Sequence, residues 1–285
     1  MMFVWTVFLM SSLLCASPQD IYLNDKNDCI SGEEMKKQFQ TILAEQRKLQ
    51  SEVNKLQQDR ELLTNLLTNP PGDCKTLYNQ GYRKSGAYTI YPWERSNPAF
   101  RSVNVFCDME TNAGGWTAIQ RRTTGAVNFN RNWTDYKVGF GITEDYWIGN
   151  DAIHQLTKDR PALYVSLTLN NVDKRHELYN QISVSDETDN YRLFLLGPAS
   201  GTLGDNMLNT NRRIAGMPFT TLDRDNDNNG DNNCAVQFRG GWWFNGCHHA
   251  FLNGPWAPGK WVEPWSPLLM NGLNITETQM MIRSR

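Results

Sequence analysis

The sequence predicts a helical stalk of coiled-coil type followed by a globular domain of the α+β class. Three observations carry this. From Met35 to Leu67 a single heptad register fits throughout. Asn69-Pro70-Pro71-Gly72 then stops the helix, because proline supplies no amide hydrogen and disfavours helix before it. Beyond Asp73 the pattern changes to short alternating segments, rich in Gly, Trp and Asn, with a short stretch at helical spacing among them.

The elements follow in chain order. Residues 3–14, FVWTVFLMSSLL, are apolar and end at the small residues Cys15-Ala16-Ser17. This reads as a secretory signal peptide over 1–17, too short to span a bilayer, although it lacks a positive n-region. No other apolar run is long enough to cross a membrane, so the mature chain is expected to be secreted and extracellular. An amino-terminal segment, 18–34, carries Cys29.

The coiled coil is assigned to 35–69. Its d positions are Met35, Ile42, Leu49, Leu56 and Leu63, and its a positions Phe39, Gln46, Val53, Arg60 and Leu67. Glu45, Glu52 and Asp59 flank the seam at g. Polar a residues lower stability while fixing register and strand number. The mixture does not choose between two and three strands. A single amphipathic helix packed on the globular domain is the alternative.

The globular domain is assigned to 70–285. Ser85–Ile90 and Val103–Phe106 alternate as strands with a Pro-containing loop between them, and Leu163–Leu169 and Tyr191–Leu195 alternate likewise. Asp151–Leu156 has its apolar residues at helical spacing. The large apolar residues are assigned to the core.

Composition excludes several functions. In 285 residues the formal net charge is −2, which gives no electrostatic case for nucleic acid or an anionic membrane. There is no G-x-S-x-G elbow, G-x-G-x-x-G loop, P-loop or H-E-x-x-H, so no enzyme is expected. His248 and His249 follow Cys247, but consecutive side chains on an extended chain diverge, which argues against a zinc site. Lys174-Arg175-His176 and Arg212-Arg213 read as solvated surface.

The most informative stretch is Asp223–Gly254, DRDNDNNGDNNCAVQFRGGWWFNGCHHAFLNG. Asp223, Asp225 and Asp227 alternate, and carboxylates that close repel one another unless water or a cation screens them. A hard cation such as Ca²⁺ takes several oxygens on a short loop of this kind. An EF-hand is excluded: D-x-D-x-N-G holds from Asp225 to Gly230, but the twelfth position is Val236 where a bidentate Glu is required. After the turn, Cys234 and Cys247 bracket Gly240-Gly241-Trp242-Trp243, and His248 follows.

This stretch resembles the carboxy-terminal signature of the fibrinogen-related domain family, which includes fibrinogen chains, ficolins, tachylectins and angiopoietins. Cys107-Asp108-Met109, Gly114-Gly115-Trp116-Thr117 and Tyr146-Trp147-Ile148-Gly149-Asn150 extend the resemblance, which runs from about Asp73 to the chain end. It implies a mixed antiparallel sheet with short helices and disulfides Cys74–Cys107 and Cys234–Cys247. Cys29 is then left over, and an odd cysteine in an oxidising compartment suggests a bond to another chain. The resemblance also implies Ca²⁺ on the acidic turn, held by Asp225 and Asp227 with carbonyls guessed at Asn229 and Asp231. Beside it, an acetyl pocket would be lined by Phe238, Gly246, Cys247 and His248, with a cis peptide entering Cys247.

The chain departs from the family in places. The segment Pro255–Trp261 is shorter than the ficolin loop, which leaves Trp256 or Trp261 to replace a missing wall, and Leu273-Asn274 stand where Tyr-Ser is usual. N-x-T sequons at Asn132 and Asn274 are candidate glycosylation sites. The functional expectation is a secreted, calcium-supported, oligomeric lectin for N-acetylated or related surface glycans, of the innate-immune kind. The alternative is an angiopoietin-like ligand for a cell-surface receptor protein.

Overall fold

The computed structural model describes residues 32–97, 101–170, 172–208, 211–256, 264–266 and 275–285. The chain divides into two units, 1–63 and 64–285. The signal peptide, Cys29 and Asn274 lie outside the described residues.

Helix α1, Gly32–Thr68, is continuous over 37 residues. Gln, Lys, Glu and Leu dominate it, residues that lose little rotamer freedom in a helix, and neither Gly nor Pro interrupts it after Gly32. Its apolar seam is not covered: Met35, Phe39, Ile42, Leu49, Val53, Leu56, Leu63 and Leu67 are 42% to 67% exposed. The structure thus shows one continuous helix with an apolar stripe along the expected seam.

The second unit opens with α2, Cys74–Asn79, whose first turn is capped by the Asp73 carboxylate accepting from the Thr76 amide at 2.7 Å. There follow β1 Gly86–Ile90, β2 Val103–Asp108, β3 Trp116–Arg122, α3 Trp133–Val138, β4 Phe140–Ile142, β5 Asp145–Trp147, α4 Asn150–Leu156, β6 Ala162–Leu169, β7 Asp173–Val184, β8 Leu193–Gly201, α5 Cys234–Phe238 and β9 Ile275–Arg283. The strands run β1-β2-β3-β9-β6-β7-β8, with the β4–β5 hairpin also on β3. Every pairing is antiparallel, which with the short helices is the expected α+β architecture.

Two sequence expectations change. The strand placed at Tyr191 begins at Leu193, because Asn190 and Tyr191 have φ of +51° and +50° and turn the chain before it can extend. Lys174-Arg175-His176 lie within β7, where His176 is half-buried and stacks on Tyr164 at 5.1 Å across the sheet. Polar alternation on a half-buried strand resembles a solvated surface in sequence.

The splaying of β2 from β5 leaves a defect that one side chain repairs. Both strands pair with the same edge of β3, β2 at Trp116–Thr117 and β5 at Gln120–Arg122. The Tyr146 hydroxyl bridges the gap, accepting from the Phe106 amide at 2.9 Å and donating to the Ala118 carbonyl at 2.7 Å. Burial keeps this phenol protonated well above its ordinary range.

Charged groups in the core are satisfied in the same local way. Arg122 is 1% exposed, and desolvation pushes its guanidinium down to about 10. It lies over Phe129 and Trp256 and donates to the Leu252 and Gly254 carbonyls. Burial opposes the charge of Asp145, but amides of Thr123, Thr124 and Val127 and the Thr124 hydroxyl outweigh it and hold its carboxyl below the usual range.

Replacing Tyr146 by Phe strands two main-chain groups at once. We expect a loss of about 2–6 kcal/mol, taking 1–3 kcal/mol for each unsatisfied buried group. Urea unfolding of the two proteins with an unchanged m-value measures it; a loss under about 0.5 kcal/mol contradicts the bridging role.

Candidate functional site

The acidic turn follows a buried aromatic platform. Tyr136, Trp147, Phe219 and Trp243 make mutual ring contacts at 5.1 to 5.9 Å and are fully buried. Gly241 is required against it, since a Cβ there would lie 2.6 Å from the Tyr136 ring, and its amide donates to the Tyr136 hydroxyl at 2.9 Å. An antiparallel bridge between Thr220 and Trp242 ties the start of the turn to this platform. The disulfide Cys234–Cys247 closes the other side, and Cys74–Cys107 joins α2 to β2.

The alternating aspartates do different work. Asp223 faces away from the turn: its Oδ1 accepts from the Trp133 amide at 2.8 Å and the Thr221 hydroxyl at 2.7 Å, which ties the turn to α3. Asp227 organises the turn itself, accepting from the Asn229 amide and from the Cys234 amide, both at 2.8 Å. Asp225 is exposed and accepts from the Asp227 amide at 3.2 Å. Burial raises the Asp227 carboxyl above its ordinary range, backbone donors oppose this, and the neighbouring Asp225 charge raises it further.

Two adjacent carboxylates without a cationic partner suit a hard cation. The other candidate ligands are less engaged in this arrangement. The Asn229 carbonyl accepts from the Asn232 amide at 3.3 Å, and Asp231 is exposed. Among the described residues no three His, Cys, Asp or Glu side chains form a group able to hold a metal ion. Calcium here would therefore rest on Asp225 and Asp227 completed by main-chain oxygens and water, and it would stiffen the turn without chemistry of its own.

The expected acetyl pocket has a different character. The structure does bring Phe238 and His248 together, with ring centroids 4.6 Å apart. Phe244 and Phe251 also contact the imidazole, at 5.8 and 4.9 Å, and His248 is only 2% exposed. At this exposure the imidazole packs among the three rings and offers little surface to a ligand. The Gly246–Cys247 peptide is not cis. The chain reverses there through two successive left-handed residues, Gly246 at φ +52° and Cys247 at +46°, with the Asn245 amide donating to the Cys247 carbonyl at 2.6 Å. Trp256 is taken up by Arg122 and by Gly125, where a Cβ would meet its ring at 1.9 Å, and Trp261 lies outside the described residues.

Asn132 is exposed and caps α3, its side-chain oxygen accepting from the Asp135 amide at 2.8 Å. Sequence reasoning missed α5, a five-residue helix capped by Asn233, whose side chain accepts from the Ala235 and Val236 amides. The Asn followed by apolar Ala-Val was the available signal.

His248→Ala is expected to destabilise the domain by about 2–4 kcal/mol, the range for truncating a large buried side chain. Thermal or urea unfolding measures it. A variant with unchanged stability would show that the imidazole is not part of the packing.

Comparison with known proteins places this geometry. Residues 70–284 match the family of the C-terminal globular domain of fibrinogen beta and gamma chains. The chain is 42% identical over 192 residues to Fibroleukin of Bos taurus, a match covering 66% of this chain and 42% of that protein. It is 38% identical over 227 residues to Angiopoietin-related protein 7 of Mus musculus, covering 79% and 65%. These matches span less than two thirds of the relatives' own lengths. Among solved structures, the fibrinogen-like globe domain of human ANGPTL2 superposes with a TM-score of 0.68 at 36% identity, covering 75% of this chain and 99% of that one. Lamprey fibrin D-dimer, complexed with the peptide ligand Gly-His-Arg-Pro-amide, superposes at 0.65 with 28% identity, covering 88% and 89%. Members of this family are recognition and structural modules, not enzymes, and the chain belongs to it: its residues 70–284 are a fibrinogen C-terminal globular domain.

Proposed function

We propose that the chain is a secreted ligand whose fibrinogen-like domain binds a cell-surface receptor protein, in the manner of the angiopoietin-like members. The observation that carries this reading is the enclosure of His248 by three phenylalanine rings, which favours a packing role for the imidazole over an acetyl-binding one. The likeness to angiopoietin-related relatives supports it, as does a peptide bound by a protein of the same fold. Two disulfides agree with an oxidising, extracellular location. No helix among the described residues is long and apolar enough to cross a membrane.

The exposed seam of α1 is proposed to close against further copies of itself as a coiled coil, with Cys29 as an interchain disulfide. Several heads on one stalk raise avidity by about 10²–10⁴ where spacing permits. Asn132 and Asn274 are proposed as glycan carriers.

Capture of the labelled chain by cells tests the function. Pretreating the cells with protease is expected to abolish capture, while free N-acetylglucosamine leaves it unchanged. Cys29→Ser is expected to weaken capture and to remove the covalent multimer from non-reducing electrophoresis. Displacement by the sugar with indifference to protease would instead support a lectin.

Calcium is proposed to stabilise the turn through Asp225 and Asp227. An ion bound only by the folded state adds about 1.4 kcal/mol at tenfold above Kd. Sites of extracellular modules often have Kd near 10⁻⁴–10⁻³ M, so the melting temperature is expected to rise at millimolar calcium and fall with EDTA. Asp225→Asn is expected to blunt that response; a melting temperature indifferent to EDTA removes the site.

A further inference from the structure

A groove of about 520 Å³ lies along the last two strands of the sheet, β7 and β8, at its edge. Strand β8 is the edge. Its Leu193 and Leu195 point into the core, and Phe194 and Leu196 alternate outward, 47% and 52% exposed. Arg160 and Arg213 stand at the groove's rim, both exposed, and among the described residues no acidic side chain lines it. Neither guanidinium has an ion-pair partner among the described residues, whereas Arg175 pairs with Asp173 and Arg192 with Asp189.

The main chain adds a third feature. The Ile182 amide donates away from β8, to the Pro161 carbonyl at 2.8 Å, so Ile182 and Leu195 form a non-hydrogen-bonded pair of the ladder. The amide and carbonyl of Leu195 therefore point off the sheet edge. Two residues earlier on that edge, Leu193 donates to the Met217 carbonyl and accepts from the Gly216 amide. Leu195 has no such partner among the described residues. An open donor–acceptor pair on an edge strand is what an added strand uses.

We propose that this groove docks an extended acidic peptide segment of a partner protein. Its apolar side chains lie on Phe194 and Leu196, its carboxylates meet Arg160 and Arg213, and its main chain pairs with Leu195. A second copy of this chain is a poorer occupant, because a two-fold contact would set the same arginines against each other. A sulfated glycan satisfies the arginines but leaves the apolar face and the Leu195 pair unused. The inference rests on the reading of the chain as a protein-binding ligand.

The test uses the full chain and a fluorescent acetylated, amidated peptide of alternating Glu and Leu, with Lys-Leu and Glu-Ser peptides as controls. The Glu-Leu peptide is expected to bind, more weakly as salt is raised, and both controls to bind at least tenfold more weakly. Arg160→Glu with Arg213→Glu is expected to lower affinity at least tenfold, and Phe194→Ser with Leu196→Ser likewise, at unchanged melting temperatures. All four positions are exposed, which favours folded variants. Equal binding by the variants, no binding by the wild type, or a heparin fragment binding where the Glu-Leu peptide does not would each overturn the proposal. Cell capture undiminished in the arginine variant also counts against the groove and leaves the receptor reading standing. Peptide binding without any cell capture supports the groove and removes the receptor reading.

Discussion

The centre of the sheet is occupied by the last strand of the chain. β9 lies between β3 and β6, so residues 275–283 hydrogen-bond to partners near positions 117–122 and 162–169. Among the described residues the two halves of the sheet have no other direct pairing. Buried polar groups fix this junction: the Gln120 side chain reaches the Leu252 carbonyl and the Thr278 hydroxyl, and Thr168 donates to Glu277. A buried amide left without those acceptors would carry a desolvation cost, so the network specifies register as well as holding it. Between β8 and β9 the chain also carries the acidic turn and two rings of the aromatic platform, Phe219 and Trp243. The candidate site is thereby coupled to closure of the sheet.

Buried charges inside the domain differ in how well the groups packed around them satisfy them. Asp145 collects donors from Thr123, Thr124 and Val127, and Arg122 finds two carbonyls and two rings. Glu177 is less well served. It is 2% exposed, and burial raises its carboxyl, with the Gly204 amide opposing and the Asp205 charge adding to the rise. A carboxylate with a raised folded value contributes stability at low pH that is lost as pH rises through that value, the opposite sense to Asp145.

Much of the architecture was legible because it is local. A helix at 32–68 follows from heptad spacing and a Pro-Pro stop, and the short helix at Asn150–Leu156 from apolar periodicity. The family was legible because Cys, Gly and paired Trp stand at fixed places around an acidic turn. What was not legible depends on long-range contact. Sequence gives His248 the same place whether its ring is open to a ligand or closed by Phe244 and Phe251, and only packing decides. The three alternating aspartates look alike, yet Asp223 bonds to α3, 90 residues away, and only Asp225 and Asp227 share the turn. The strand expected over Tyr191–Leu195 was legible, but not its exposed apolar face, because Leu193-Phe194-Leu195-Leu196 is apolar on both sides.

The exposed face of β8 and the seam of α1 bear on each other through energetics alone. Rim arginines in water contribute little individually, since an exposed ion pair gives about 0–1 kcal/mol. The open amide and carbonyl of Leu195 add about 1–3 kcal/mol together at best, taking 0.5–1.5 kcal/mol for each hydrogen bond. A groove built from such parts binds weakly as one copy and sets orientation and partner choice more than strength. Useful affinity for such a head therefore has to come from presenting several heads together. That gives the apolar stripe of α1 a purpose that one domain would not require. The stripe leaves eight large apolar residues in water unless a partner covers them, and burying each fully is favourable by about 1.5–3 kcal/mol. A weak recognition face and a self-associating stalk, both as proposed, would be complementary solutions to one problem: selectivity set at the head, and strength set by number.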